Sequence, residues 1–178
     1  FTHALARMHR RLDESGLARQ VLEAALSKLP DASAWHEELG QVCADQNDLE
    51  AAAQSFERAC RLEPSAARHH QLGRIYARLG RYAAAVRELE NALRRSPRQA
   101  EWWAELGALH RENGAGARAL LCYRQALKHS PDDVNLALDA IQLTCELGRW
   151  QEASGLVQEA LVHNPAAAPL HAQAGLLY

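Results

Sequence analysis

The chain has 178 residues, of which 48% are apolar and 24% charged, so it carries enough apolar surface to fold, which argues against global disorder. Its formal net charge of −2 lacks the basic excess of nucleic-acid-binding proteins, and no segment approaches the roughly 18 to 20 apolar residues of a membrane span. The sequence therefore predicts neither nucleic-acid binding nor membrane insertion.

Alanine dominates the apolar residues, with 35 copies, whereas aromatic residues make up only 6%, and this balance favours α-helix. The 18 arginines against 2 lysines indicate the coding bias of a GC-rich genome, which we interpret as bacterial. The chain begins without Met and ends within a repeating pattern, so we interpret it as a fragment of a longer protein.

Four cysteines lie on apolar helical stripes and show neither a CxxC motif nor a regular spacing: Cys43, Cys60, Cys122 and Cys145. Such residues behave as small buried hydrophobes, and we predict that role here. Free thiols favour a reducing compartment and hence the cytoplasm. The periplasm stays an alternative, because a fragment need not contain the targeting region of its protein.

A proline motif punctuates the chain at a nearly constant interval. Ala-(Leu/Cys)-x-x-x-Pro occurs five times, and its prolines are 34, 33, 34 and 34 residues apart: Pro30, Pro64, Pro97, Pro131 and Pro165. A fixed period of this length is the signature of a repeat architecture.

The interval from Ala66 to Arg98 shows what each repeat contains. In its first half, apolar residues three and four positions apart predict a helix, which Gly80 is expected to end. A second apolar stripe between Tyr82 and Leu93 predicts another helix, and Pro97 stops it because proline lacks the N–H and restrains the preceding residue. Each interval is therefore a pair of helices, which buries too little surface alone and must stack on its neighbours.

Small residues recur at matching points of the two helices, and we expect each glycine to face an alanine so that the helices approach closely. They are Gly40, Gly73, Gly107 and Gly175 in first helices and Ala52, Ala85, Ala119 and Ala153 in second helices. Larger residues sharing one position of the second helix are expected to fill the gap beside them: Phe56, Leu89, Tyr123 and Val157. Ala6 and Ile141 replace the glycine in two repeats, which predicts slightly wider helix pairs there.

The repeat resembles the tetratricopeptide repeat, in which an aromatic-x-x-Leu-Gly-x-x-Tyr segment is followed by Ala, an aromatic residue, Ala and Pro. The matching residues of the third full repeat are Trp103, Leu106, Gly107, Ala119, Tyr123, Ala126 and Pro131. The resemblance implies an all-α fold, an α-solenoid of stacked antiparallel helix pairs that forms a right-handed superhelix. It covers residues 1–178 as a single array: a partial repeat at 1–32, full repeats at 33–65, 66–99, 100–133 and 134–167, and the first helix of a further repeat at 168–178.

The family resemblance also implies a function, the binding of a protein or peptide partner in a concave groove lined mainly by first helices. Polar residues expected to face this groove are Arg7, Arg11, Glu37, Gln41, Asp45, His70, Arg74, Arg78, Arg111 and Gln142. They give the groove basic and acidic bands and a flatter apolar end, which would complement a segment with an acidic patch and a hydrophobic tail. The alternative is that these residues are solvated charges, with Arg74 and Arg78 satisfying nearby glutamates.

A second interpretation of the function is a domain of a larger bacterial protein, an enzyme or an envelope or secretion assembly factor. There the array would serve self-association or position another domain. The apolar face of the last helix is expected to be exposed, so that it favours a further repeat or a homo-oligomer: Leu170, Ala174, Leu177 and Tyr178.

No pattern of catalytic or cofactor-binding residues is present in the sequence. Because no Ser-His-Asp arrangement, phosphate-binding loop or GxGxxG motif occurs, we predict neither an enzyme nor a cofactor. The histidines include the adjacent pair His69–His70 but no pair four residues apart with a third ligand, so no metal site is predicted. We expect Trp35, Trp103 and Trp150 to fill the interior, and Trp102 to make an exposed or inter-repeat contact.

Overall fold

The computed structural model describes residues 2–11 and 14–177, and all regular secondary structure in these ranges is α-helical. The helices of this part are α1 (Thr2–Arg11), α2 (Ser15–Leu26), α3 (Ser33–Asp45), α4 (Leu49–Leu62), α5 (Ala66–Arg78), α6 (Tyr82–Arg95), α7 (Ala100–Glu112), α8 (Gly116–His129), α9 (Val134–Glu146), α10 (Trp150–His163) and α11 (Ala168–Leu177). Odd-numbered helices are the first helices of the repeats and even-numbered helices the second ones. Within the described ranges no helix combines the length and the apolar character that crossing a bilayer requires.

The chain divides into two compact units, Phe1–Ser96 with α1 to α6 and Pro97–Tyr178 with α7 to α11. In the first unit α3 packs on α4 and α5 on α6, while α4 also packs on α5. In the second unit α7 pairs with α8, α9 pairs with α10, α8 contacts α9, and α11 covers α10 and α9. Each unit is therefore a stack of antiparallel helix pairs, which confirms the predicted all-α solenoid fold.

The first helices α3, α5, α7, α9 and α11 begin at the residues where the sequence places the repeat starts: Ser33, Ala66, Ala100, Val134 and Ala168. That residues 1–178 form a single array with these boundaries stays a prediction.

Three-residue turns connect the helices within each pair from α3 to α10, and each turn contains one residue in the left-handed conformation. These residues are Asn47, Gly80, Gly114 and Gly148, with φ of 60°, 69°, 72° and 71°. Glycine adopts this conformation without the steric penalty of a Cβ, and asparagine tolerates it better than most residues. After Gly80, the N–H of Arg81 returns to the carbonyl of Tyr76 at 2.9 Å, which closes the end of the helix. Gly80 therefore ends α5 as the sequence predicts.

The glycines of the first helices do allow close approach, but they face a different residue from the one expected. A Cβ added at each would lie within 3 Å of a large side chain on the partner helix: 2.8 Å at Gly40 from Phe56, 2.9 Å at Gly73 from Leu89 and 2.7 Å at Gly107 from Tyr123. The glycine therefore makes room chiefly for the larger residue, four positions after the fully buried alanine of the second helix. At Gly175 no atom of another described element lies within 4 Å of the added Cβ.

The pair of α9 and α10 has its own packing, because Ile141 takes the place of the glycine. Ile141 and Val157 are both fully buried, so a larger residue on the first helix is combined with a smaller one on the second. Fewer residues of α9 and α10 lie close to each other than of α7 and α8. This agrees with the wider helix pair that the sequence predicts at Ile141.

The tryptophans only partly follow the expectation. Trp35 and Trp103 pack against the cores of the first and second unit, and Trp102 is half-buried. The expectation that Trp150 lies in the interior is wrong, since 60% of its surface is exposed at the start of α10.

The expectation that the apolar face of the last helix is exposed is also wrong. Leu170 is fully buried, and Ala174 and Leu177 pack against the same core, because α11 uses this stripe to cover α9 and α10. The large apolar side chain that α11 exposes is instead Leu176, at 79%. Tyr178 lies outside the described residues.

Candidate partner-binding surface

The candidate residues of the first unit lie on α1, α3 and α5, and we call this group the first-helix face: Arg7, Glu37, Gln41, Asp45, His70, Arg74 and Arg78. Its exposed members are Arg7, Asp45, Arg74 and Arg78, and its half-buried members are Glu37 and Gln41. His70 is only 8% exposed, so most of its ring is used in packing and little is available to a partner. Arg11 lies outside the residues whose side chains the structure describes.

The acidic part of α3 is in contact with other residues of the protein itself. Arg10 of α1 donates from Nη1 to Glu38 Oε1 at 2.8 Å, and its Nε lies 3.6 Å from Asp45 Oδ2. The side-chain amide of Gln41 donates to Asp45 Oδ1 at 3.0 Å. The structure thus brings Gln41 and Asp45 together, one helical turn apart, and Arg10 lies between the carboxylates of Glu38 and Asp45.

Glu37 is joined to a buried arginine that the sequence analysis did not single out. Arg68, 8% exposed, donates from Nε to Glu37 Oε2 at 2.7 Å and from Nη1 to Glu63 Oε2 at 3.0 Å. The hydrogen bond from the Ser33 hydroxyl, together with the Arg68 guanidinium, holds the pKa of the Glu63 carboxyl below its usual range. This cluster connects α3 to α5 and is structural, since both acids are bound within the protein.

Arg78 at the end of α5 differs from these arginines in the kind of partner it has. Its Nη2 donates to the side-chain oxygen of Asn47 at 3.0 Å, and Asn47 is the left-handed residue of the preceding turn. The amide of Asn47 is neutral, so it orients the Arg78 guanidinium without offsetting its charge. Arg74, one turn earlier on the same helix, is also exposed.

The two candidates of the second unit, Arg111 and Gln142, converge on one carboxylate. Arg111 donates from Nη2 to Glu146 Oε1 at 2.6 Å, and the Gln142 amide donates to the same oxygen at 3.0 Å. The three residues therefore form a small network between α7 and α9. Its positive charge is offset by Glu146.

Further arginines on or beside second helices pair with carboxylates about one repeat away: Arg19 with Asp48 (2.9 Å), Arg58 with Asp31 (2.6 Å), Arg81 with Glu50 (2.9 Å) and Arg124 with Glu152 (2.5 Å). The hydrogen bond from Arg19, and after it the Ala51 backbone N–H, holds the pKa of Asp48 below its usual range. The sequence analysis missed these pairs. Opposite charges separated by about one repeat length are the signal that could have found them.

Several other polar groups of the interior have partners within the protein. His69 Nδ1 donates to Glu88 Oε2 at 2.8 Å, and Tyr76 donates to Glu57 Oε1 at 2.5 Å. Burial, assisted by Glu57, raises the pKa of Tyr76 to about 12, and burial raises the pKa of the Cys60 thiol to about 11. A protonated thiol is a poor nucleophile, so Cys60 is not activated for covalent chemistry. In the described residues no three His, Cys, Asp or Glu side chains converge in a way that could hold a metal ion.

Several solved structures share the fold of this chain at low sequence identity. A crystal structure of MamA protein superposes with a TM-score of 0.83 at 18% identity and covers 94% of both chains. YrrB, described as a tetratricopeptide repeat protein with an unusual peptide-binding site, superposes with a TM-score of 0.78 at 18% identity, covering 97% of this chain and 90% of its own. The C-terminal part of a repeat-containing protein from Cytophaga hutchinsonii gives a TM-score of 0.81 at 12% identity, covering 98% of this chain and 69% of its own.

The sequence itself places the chain in a family. No curated protein matches it. The family model of the tetratricopeptide repeat, however, matches residues 3–67 and 70–134, which together are more than half of the chain. With the repeat length, the glycine and alanine positions and the paired helices described above, this match is decisive. The chain belongs to the tetratricopeptide repeat family, whose members generally serve as protein-interaction scaffolds.

Proposed function

We propose that this chain is a protein-interaction module that binds an acidic segment of a partner on the first-helix face, through Arg78. The observation that carries the proposal is the neutral hydrogen-bond partner of Arg78, the amide of Asn47. Arg10 of α1 and Arg68 of α5, by contrast, contact carboxylates. An exposed guanidinium whose charge is not offset can pair with an incoming carboxylate without first breaking an ion pair.

The proposal is narrower than the expectation from the sequence. Glu37 and Asp45 already have arginine partners within the protein, Arg68 and Arg10. A basic patch on the partner would therefore have to compete with these arginines for the two carboxylates. The surface therefore favours the acidic part of a partner segment and gives it a defined position beside the end of α5.

The family supports a binding role in general, and one structural neighbour supports a peptide in particular. Tetratricopeptide repeat proteins generally act as interaction scaffolds, and YrrB is described as having a peptide-binding site. At 18% identity that likeness concerns the fold, so the acidic character of the partner is argued from Arg78 alone.

The experiment is a selection of short random peptides displayed on phage against the folded protein, followed by affinity measurement of the enriched peptides by fluorescence anisotropy. Enrichment in Asp and Glu is expected. The Arg78→Glu variant should bind these peptides about tenfold more weakly, because an attraction at a partly exposed site becomes a repulsion. The Arg61→Glu variant is the matched control, since Arg61 is an exposed arginine on the second helix α4 and should leave the affinity unchanged.

Salt provides a second readout of the same contact. Raising the ionic strength should weaken binding to the unaltered protein and have a smaller effect on Arg78→Glu. Peptides without acidic enrichment, or equal losses in the Arg78→Glu and Arg61→Glu variants, would remove the support for this surface. Circular dichroism of both variants would show whether a loss arises from unfolding.

A further inference from the structure

The fourth residue of a first helix has a recurring role in this protein. In three repeats it is an aromatic ring whose N–H donates to the carbonyl of the proline six residues earlier, each time at 2.8 Å: His36 to Pro30, Trp103 to Pro97 and His171 to Pro165. The contact satisfies a carbonyl that follows the preceding second helix and fills the space beside the proline.

Two first helices depart from this arrangement, each in its own way. In α5 the fourth residue is His69, whose ring turns to Glu88 of α6. In α9 it is Ala137, which has no ring and no donor, although Pro131 stands at the usual distance of six residues. No side chain at this position therefore reaches the Pro131 carbonyl.

A cleft of about 430 Å³ lies at this place between α8, α9 and α10. Its floor is apolar and consists of Leu127, Pro131, Ala137, Leu156 and Ala160. At the corresponding positions of α5 and α6 the first unit has the pair His69 and Glu88 instead of Ala137 and Leu156. The volume falls within the roughly 300 to 1,000 Å³ typical of ligand pockets.

The rim of the cleft carries charges of both signs. The charged and titratable residues that line it are Arg124, Lys128, Glu159 and His163. Arg124 is paired with Glu152 at 2.5 Å, whereas Lys128 is exposed at the end of α8. The exposed ammonium of Lys128 could therefore pair with a carboxylate placed beside it.

We propose that this cleft binds a tryptophan side chain from an acidic segment of a partner protein. The indole would occupy the volume that rings occupy in other repeats and donate its N–H to the Pro131 carbonyl, as Trp103 does to Pro97. Its apolar faces would contact Leu127 and Leu156, and a neighbouring acidic residue would pair with Lys128. Tryptophan suits such a site because it combines a large apolar surface with one donor.

This cleft is separate from the first-helix face, so the inference does not rest on the function proposed above. The Arg78→Glu variant should leave binding at the cleft unchanged. Filling the cleft should likewise leave the binding of acidic peptides at Arg78 unchanged, so the two proposals fail or succeed independently.

The test uses the peptide acetyl-Glu-Trp-Glu-amide, titrated into isotope-labelled protein and followed by the backbone amide shifts of Lys128, Ala137 and Ala160. Saturable shifts with a Kd of about 1 mM are expected, because one anchored side chain offers few contacts. Acetyl-Glu-Ala-Glu-amide should give no saturable shift. Acetyl-Lys-Trp-Lys-amide should bind about threefold more weakly, because its charges face Lys128.

The decisive variant is Ala137→Trp, which supplies the ring from the protein itself and should weaken binding of the tryptophan peptide at least about tenfold. Ala172→Trp, at an exposed position of α11, is the matched control and should bind normally. If circular dichroism shows that Ala137→Trp does not fold, Ala137→His takes its place, because α3 and α11 already carry histidine there.

Three results would overturn the proposal. The first is the absence of saturable shifts with the tryptophan peptide, and the second is equal binding to Ala137→Trp and to the unaltered protein. The third concerns Trp150, which is exposed and could enter the cleft of a second copy. Self-association in sedimentation experiments that is lost in both Trp150→Ala and Ala137→Trp would assign the cleft to a second copy of this chain.

Discussion

Three glycines of the first helices lie so close to the partner helix that no other residue fits without displacement. At Gly73 a Cβ would lie 2.9 Å from Leu89 Cγ and 3.2 Å from the Leu89 backbone nitrogen. A flexible side chain could yield, but the backbone atom belongs to a packed helix and cannot move alone. The requirement for glycine here is therefore steric, and it concerns contact with a neighbour, not the backbone conformation of α5.

We expect the Gly73→Ala variant to lose about 1 to 3 kcal/mol of the free energy of unfolding, the range typical of overpacked cores. Gly155→Ala is the matched control, since no atom of another element lies within 4 Å of its added Cβ. In that exposed helical position alanine should stabilise the protein by about 0.5 to 1 kcal/mol, because glycine loses more backbone entropy on folding. Urea unfolding of both variants measures the difference, and equal effects of the same sign would contradict the steric explanation.

At the scale of helices, residues that are close together in the sequence determine most of the structure. The spacing of apolar residues, the glycine at the end of α5 and the proline after α6 each act within a few residues of the chain. The sequence therefore predicts the helix pairs and even the wider packing at Ile141. It does not show how far neighbouring helices cover the start of α10, which is why the expectation that Trp150 lies in the interior is wrong.

The candidate site was harder to predict for a physical reason. Whether Glu37 or Asp45 can meet a partner depends on Arg68 and Arg10, which approach from neighbouring repeats. That approach is set by how the pairs stack, and no pattern within one helix reports it. A prediction based only on which residues point away from their own helix pair therefore includes residues that are already paired. It does not distinguish them from Arg78, whose partner Asn47 is neutral.

The start of α4 depends on one such pairing, and it gives the protein a predictable response to acid. Asp48 accepts the Ala51 N–H at 3.2 Å, which caps the helix, and it also accepts a hydrogen bond from Arg19 at 2.9 Å. Both contacts hold the pKa of Asp48 below that of the unfolded chain, Arg19 having the larger effect. The stabilisation is therefore present above about pH 4, the usual range of Asp, and is lost as pH falls through the lower pKa of the folded state.

The Asp48→Asn variant tests this, because asparagine still caps the helix but cannot titrate. It should be less stable than the unaltered protein at neutral pH, and the difference should shrink as pH falls below about 4. Urea unfolding at a series of pH values measures it. In an Arg19→Gln background the same substitution should have a smaller effect. A difference that stays constant from neutral to acidic pH would argue against the ion pair as its source.

At the scale of the whole molecule, stability in a repeat protein is a sum of local terms, because each repeat contacts only its neighbours. The buried residues reflect this. One cluster joins Ala6, Ala18, Leu22 and Val42 in the first unit, and another extends from Ala119 to Leu170 in the second. A change within one cluster should therefore be felt mainly in the unit that contains it.

Leu170 is the residue where this can be tested, since it is fully buried and belongs to the core that α11 completes over α9 and α10. We expect Leu170→Ala to remove about 2 to 4 kcal/mol from the stability of the second unit, because it leaves a cavity and loosens α11. Hydrogen exchange should accelerate at the amides of α9 to α11, while amides of α3 to α6 keep their protection. Leu176→Ala, at a position 79% exposed, should change neither. Uniform acceleration along the chain would instead mean that 1–178 unfolds as one cooperative array.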